Sequence, residues 1–286
     1  MARPGRGADR ALRRRGPAVA LDAGATTIRL WTPSDGFVET ASPPLGPPAC
    51  GRNDATARTV DAARDAVRDA LPRRVRRRPV GFPVAVAVPA GATVEGRRRL
   101  EEAVRSLNRG QPVLLMEAPL AAAVGSDLDV TGRAPYLVVD VGVYGSEAAV
   151  VADGRVVDSV AAPVGCADVL RERARRLNGR RDTATPPASA QWRAVGTPTR
   201  VDGPVDALVV MVRRAVWRGH ERLGTDPLGH GITVVGGGAA LPALLARLRL
   251  EFGADVTRAH DPRRATIRGL SALAIEADRL PQLWDV

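Results

Sequence analysis

Residues 137–151 read LVVDVGVYGSEAAVV: an apolar run ending in Asp140, a turn bounded by Gly142 and Gly145, then a second alternating run. Residues 19–31, VALDAGATTIRLW, repeat the plan with Asp22 and Gly24 in the matching places. Both runs carry the composition of β-strands, so each stretch reads as two strands around a tight turn. One Asp-x-Gly arises easily by chance. Two of them in matching contexts, more than a hundred residues apart, read as a chain built twice.

A third stretch belongs with these two. Residues 232–248, ITVVGGGAALPALLARL, join a short β-branched run to a helical pattern through three consecutive glycines. Each glycine costs about 0.5–1 kcal/mol in backbone entropy, so three in a row imply close approach of another group to the main chain. Glycine turns expose N–H groups to an anion, and two such hairpins facing each other would grip a phosphate chain from both sides. Asp22 and Asp140 would then hold a hydrated Mg²⁺, which takes one or two carboxylates together with water and phosphate oxygens. Gly236, Gly237 and Gly238 would let a nucleotide lie against bare backbone near the positive end of the following helix.

Composition narrows the chemistry. The 286 residues are 45% apolar, enough for a substantial core and two domains. All 42 basic residues are arginine, against 31 acidic ones, for a net charge of +11. Without lysine the chain lacks the ammonium group of a Walker-A loop, of a protein-kinase phosphate site and of a Schiff-base enzyme. His220, His230 and His260 are too scattered for a zinc site, and Cys50 and Cys166 read as free thiols of a reducing compartment. No apolar run approaches the roughly 20 residues that cross a bilayer, and the N-terminus has no signal-peptide pattern, so the expected location is cytoplasmic.

Apolar runs such as PVAVAVP alternate with helical patterns, among them TVDAARDAVRDAL, GRRRLEEAVRSLN, PLAAAVG, ADVLRERARRL and VDALVVMVRRAVWRGHERL. The class is α/β. Leu208, Val209, Val212, Val216 and Leu223 fall near one face of the last helix and are expected in the core. Proline- and glycine-rich loops are expected around 42–54 and 183–204.

In this order the motifs resemble the actin-like ATPases, and within them the bacterial MreB group. DAGATT at 22–27 resembles the first phosphate loop, VPAGATVEGRRRL at 88–100 the segment carrying the hydrolytic residue, and MEAPLAAAVG at 116–125 the connecting helix. DVGVYGSE at 140–147 resembles the second phosphate loop, and VVGGGAALPALLARL the adenosine loop. The resemblance implies two ribonuclease-H-like domains around a nucleotide cleft: domain I over 17–137 with 265–286 returning to it, and domain II over 138–264. Residues 1–16 stay outside as a basic arm. Implied cofactors are ATP and Mg²⁺. The implied nucleotide contacts are Asp22, Gly24, Ala25, Thr26, Thr27, Asp140, Gly142, Gly145, Ser146, Gly236, Gly237, Gly238 and Ala239.

Three departures from the family pattern stand out. Val143 and Tyr144 occupy small positions of the second phosphate loop; if the backbone there needs positive φ, each costs about 1–2 kcal/mol, and Tyr144 would crowd the γ-phosphate. The family's hydrolytic glutamate falls at Gly96, with Glu95 one residue early, a turn of about 100° on a helix. Both outer subdomains are reduced to loops, and GRRDTA at 179–184 matches the family only weakly.

The expected function is therefore an ATP-binding, MreB-type cytoskeletal protein acting in cell shape or wall growth, with weak or lost hydrolysis, associating with itself or with full-length relatives. The alternatives are a scaffold that keeps the fold without nucleotide turnover, and an Hsp70- or kinase-like ATPase on the same fold. Arg3, Arg6, Arg10, Arg13, Arg14 and Arg15 are expected to attract an anionic membrane surface, at about 1 kcal/mol each when close to it. With aromatics at 3%, nucleic acid is the weaker partner.

Overall fold

The computed structural model describes residues 18–41, 82–108, 111–177 and 203–279. The basic arm, the 59–71 helix pattern, the 42–54 loop, GRRDTA and all but the end of the 183–204 loop lie outside the described residues. The chain divides into two compact units, residues 1–121 with 266–286, and residues 122–265.

In the first unit, β1 (Val19–Ala23), β2 (Thr27–Thr32) and β3 (Gly36–Ala41) form an antiparallel meander. β4 (Val84–Val88) pairs parallel to β1, and β5 (Val113–Glu117) parallel to β4, for the order β3-β2-β1-β4-β5. Parallel neighbours need a crossover, and α1 (Val94–Leu107) supplies the one between β4 and β5. Alternation in the strands sorts the two faces. Leu21, Ile28, Leu30, Val86 and Val88 pack with Leu100 and Val104 of α1. Ala18, Ala20 and Ala85 pack on the other side with Ala121 of α2 (Ala118–Gly125) and with Ile267, Leu270 and Ala274 of α6 (Ala265–Arg279).

The second unit repeats this plan. β6 (Tyr136–Val141), β7 (Ser146–Ala152) and β8 (Arg155–Ala162) form the meander, and β9 (Ile232–Val235) and β10 (Val256–Arg258) add in parallel, for the order β10-β9-β6-β7-β8. α3 (Cys166–Leu177) and α4 (Pro204–Leu223) follow β8, and α5 (Pro242–Phe252) links β9 to β10. Proline opens α4 and α5, and a left-handed glycine, Gly224 or Gly253, closes each. Leu208, Val209 and Val212 of α4 are buried with Leu137, Val139 and Val141 of β6, and Val216 and Leu223 pack against them. Each such side chain contributes about 1.5–3 kcal/mol by leaving water. The repeat seen in two hairpins thus extends through two five-stranded sheets of one topology.

Candidate functional site

The β1–β2 turn closes through Gly24 N–H donating to Thr27 O at 3.0 Å, and the β6–β7 turn through Gly142 N–H donating to Gly145 O at 2.9 Å. A Cβ on Gly24 would meet Thr27 O at 2.8 Å, and one on Gly142 would meet Gly145 O at 2.7 Å. These glycines are required by space and not by φ, since neither has a positive one. In the second turn the carbonyls of Gly142 and Val143 accept from the N–H groups of Cys166 and Ala167 at the start of α3. Among the described residues no acceptor engages the N–H groups of Val143 and Tyr144. That is the polarity of an anion cradle: carbonyls turned inward, amides left open.

The conditional strain at Val143 and Tyr144 does not arise, because Asp127 and Asp153 are the only non-glycine residues with positive φ among those described. Close approach of the segment before α3 to the backbone of this turn depends on Gly165, which sequence reading missed. A Cβ there would lie 2.3 Å from Val143 O and 2.7 Å from Gly142 O. Its signal, a glycine directly before a helical pattern, is common enough to pass unnoticed. Ser146 is buried, and its hydroxyl donates to Val164 O at 2.6 Å, tying the turn to the segment after β8. Tyr144 is half-buried.

The three consecutive glycines divide by role. Gly236 has φ +78°, and a Cβ on it would lie 2.2 Å from Asp140 Oδ1 and 2.6 Å from Val141 O. Gly238 rests against Val141, whose Cγ1 would stand 2.2 Å from an added Cβ. Gly237 is exposed, and an added Cβ would meet only Cys166 Sγ, at 4.0 Å. Gly237–Ala240 form a 3₁₀ turn leading into α5, with Ala239 buried. Hence two glycines seat this loop on the Asp140 strand, and the third presents bare backbone to solvent.

In the first unit Asp22 stands opposite Arg29 across β1–β2, and Arg29 opposite Glu39 across β2–β3. Arg29 Nη1 lies 3.1 Å from Asp22 Oδ2. Burial pushes the Asp22 carboxyl above the usual carboxylate range, and Arg29 offsets this only in part. In the second unit the residue opposite Asp140 is Glu147. Ala25, Thr26 and Thr27 are half-buried at the first turn.

Thr93 caps α1, its hydroxyl accepting from Gly96 N–H at 3.1 Å. Gly96 is buried, whereas Glu95 is exposed and bonded to Arg98 and Arg99 at 2.7–3.0 Å. These guanidiniums pull the Glu95 carboxyl down to about 2. Arg97 turns the other way, donating to Ala90 O at 3.1 Å and to Glu117 at 2.9 Å, and so ties the turn before α1 to the end of β5. Among the described residues no cluster of three or more His, Cys, Asp or Glu is placed to share a metal ion.

The doubled sheet with a glycine turn at each Asp-bearing hairpin defines the class: an actin-like fold. Two solved structures share it, MreB5 of Spiroplasma citri bound to AMPPNP (TM-score 0.67, 17% identical, covering 93% of this chain and 98% of that one) and the MamK double helical filament (TM-score 0.58, 16% identical, covering 90% and 99%). The MreB/Mbl protein family model matches residues 54–177. The cell shape-determining protein MreB of Pasteurella multocida is 25% identical over 222 residues, and that of Escherichia coli K12 is 27% identical over 220 residues. In both cases 65% of this chain aligns, and it spans 63% of the relative's length. The chain has an actin-like fold and is similar, over part of its length, to MreB proteins.

Proposed function

We propose that this protein binds an adenine nucleotide and works as an MreB-type cytoskeletal protein in cell-shape determination, with hydrolysis slow or absent. The observation that carries the reading lies in the second unit. Among the described residues, the Gly142–Gly145 turn leaves the amides of Val143 and Tyr144 unengaged, and the 236–239 loop packs on the same β6 strand with Gly237 exposed. An amide cradle for phosphate and an open backbone ledge thus sit on adjacent β6 and β9 ends, where ligands of parallel sheets bind. AMPPNP and ADP occupy the MreB5 structures, which supports a nucleotide as the ligand.

Mg²⁺ is a proposal of the same kind. Asp140, with Glu147 opposite it across the strand pair, offers carboxylate chemistry suited to a hydrated cation. When bound, the ion would neutralise phosphate charge. Slow hydrolysis follows from Gly96 standing where a carboxylate is expected and from Glu95 being held by two arginines. Positioned acid–base groups ordinarily supply about 10²–10⁴ in rate. Self-association is proposed by analogy with the MamK filament, and a peripheral membrane contact rests on the N-terminal arginines alone.

The test is thermal. Mg-ATP at 100 times its Kd stabilises a native state by about 2.7 kcal/mol, and each kcal/mol moves Tm by roughly 2–4 °C at this chain length. A clear upward shift, with heat in calorimetry, is expected. A flat melt with millimolar Mg-ATP and no heat would replace this reading by the non-binding scaffold.

A further inference from the structure

The charged groups beside the first turn form one cross-strand row. Asp22 on β1, Arg29 on β2 and Glu39 on β3 are successive register partners, so their side chains share a face of the sheet. Arg29 lies 3.1 Å from Asp22 through Nη1 and 3.4 Å from Glu39 through Nε. The arginine side chain is 14% exposed and that of Asp22 16%, so this pair is shielded from water and salt. The same Nη1 stands 3.9 Å from the point where a Cβ on Gly24 would be. The guanidinium therefore reaches the floor of the turn itself.

A carboxylate engaged in this way is a poor ligand for a divalent ion. Mg²⁺ is selective about geometry and keeps its waters, so it would have to displace a largely buried guanidinium. Displacement would break a shielded pair and leave the guanidinium with Glu39 alone. In the second unit the matching position is Glu147, so the equivalent aspartate faces an acid. The cross-strand register partner of the aspartate is thus a base in one unit and an acid in the other.

We propose that Arg29 takes the place of a divalent cation on Asp22, so that the first turn is metal-independent. The charge on Asp22 is met by a covalently attached cation that is always present. Removing the guanidinium would turn Asp22 into an available oxygen ligand beside a glycine turn, creating a metal site where the parent has none.

Mn²⁺ reads this directly, because it broadens the amide signals of nearby residues whether or not nucleotide is bound. In the full chain without nucleotide, Mn²⁺ should leave the Gly24 and Ala25 amides sharp. In Arg29→Met it should broaden them, and in the double variant Asp22→Asn/Arg29→Met the broadening should vanish; Arg29→Gln serves as the second single variant should the methionine variant fold poorly. Broadening in the parent that Asp22→Asn abolishes would overturn the proposal, and so would Arg29 variants that fold but show none. A second arm rests on the nucleotide-binding reading above. The ratio of ATP affinities measured with Mg²⁺ and with EDTA should rise about tenfold in Arg29→Met, the scale on which groups contacting a metal ligand act. Absence of ATP heat in every variant would defeat that reading alone, and the Mn²⁺ signals would still decide the role of Arg29.

Discussion

The two hairpins agree wherever the backbone decides and differ wherever charge decides. Their closing hydrogen bonds are 3.0 and 2.9 Å, and a Cβ on the first turn glycine would meet a carbonyl oxygen at 2.8 or 2.7 Å. Across the strand from the aspartate, one copy carries Arg29 and the other Glu147. The next βα turn differs as well. β4 leads through a threonine-capped turn to Glu95 of α1, whereas β9 leads through three glycines to α5, which has no side-chain cap. A doubled frame survives because turn closure tolerates one geometry. The side chains placed on it diverge, since the cross-strand partner of the aspartate takes no part in the hydrogen bond that closes the turn.

The largest effects are expected where the second copy is most crowded. Gly236→Ala combines left-handed φ with an overlap against Val141 O, and should cost about 2–5 kcal/mol. Gly238→Ala meets Val141 Cγ1 and should cost about 1–3 kcal/mol. Gly237→Ala should leave stability unchanged while weakening ATP binding, because among the described residues its added methyl meets nothing closer than 4.0 Å. Denaturant melts and calorimetry on the three variants check this. Equal destabilisation by all three would show that the loop is simply a tight turn.

Next come the two turn glycines. Gly24→Ala and Gly142→Ala each drive a methyl into a carbonyl oxygen, and each should cost about 1–3 kcal/mol. The comparison predicts near-equal losses. A difference above about 2 kcal/mol in urea unfolding would break the structural equivalence of the copies, because the same methyl–carbonyl overlap in the same turn should cost the same.

Much of this frame was readable from the amino acids. The strands announced themselves through alternating apolar runs, the helices through their periodic stripes, and the doubling through Asp-x-Gly in two matching contexts. The pairing of Asp22 with Arg29 was not readable, because two residues seven positions apart become neighbours only once the hairpin register is fixed. Gly165 was hidden for the same reason: its constraint comes from Val143, across the meander. The expectation about Val143 and Tyr144 depended on a positive φ that the turn does not use. Sequence reported which residues were small, and only packing showed whether smallness served φ, space or exposure.

A smaller effect tests the charge difference itself. Glu147→Arg would give the second copy the aspartate–arginine pair of the first, facing Asp140 across β6–β7, with Ala161 where the first copy has Glu39. Unfolding free energy should move by about 0.2–1 kcal/mol, the scale of a cross-strand pair. The Mg²⁺ dependence of ATP binding should fall clearly in the same variant. Unchanged dependence would show that Asp140 does not attract the ion and that the asymmetry between the copies has no bearing on metal.

The smallest effect on stability, and the most specific in signal, concerns Glu95, whose segment has no acidic counterpart before α5. Its carboxyl is drawn down from 4.5 to about 2 by hydrogen bonds from Arg98 and Arg99 on the exposed face of α1. A folded pKa below the unfolded one means that the interaction is present above the unfolded value, near 4.5, and is lost as pH falls through about 2. Nothing about Glu95 should therefore change between pH 5 and 8. A carboxylate whose conjugate acid is that strong also accepts a proton poorly at neutral pH, where a general base works best with a pKa near the operating pH. Carboxyl-detected NMR titration of the full chain should place the Glu95 midpoint near 2, and Arg98→Ala/Arg99→Ala should return it towards the ordinary 4.5 with little change in the melt. A midpoint above 5 in the parent would instead mark Glu95 as an available base, and slow hydrolysis would then have no support from the arginines that hold it.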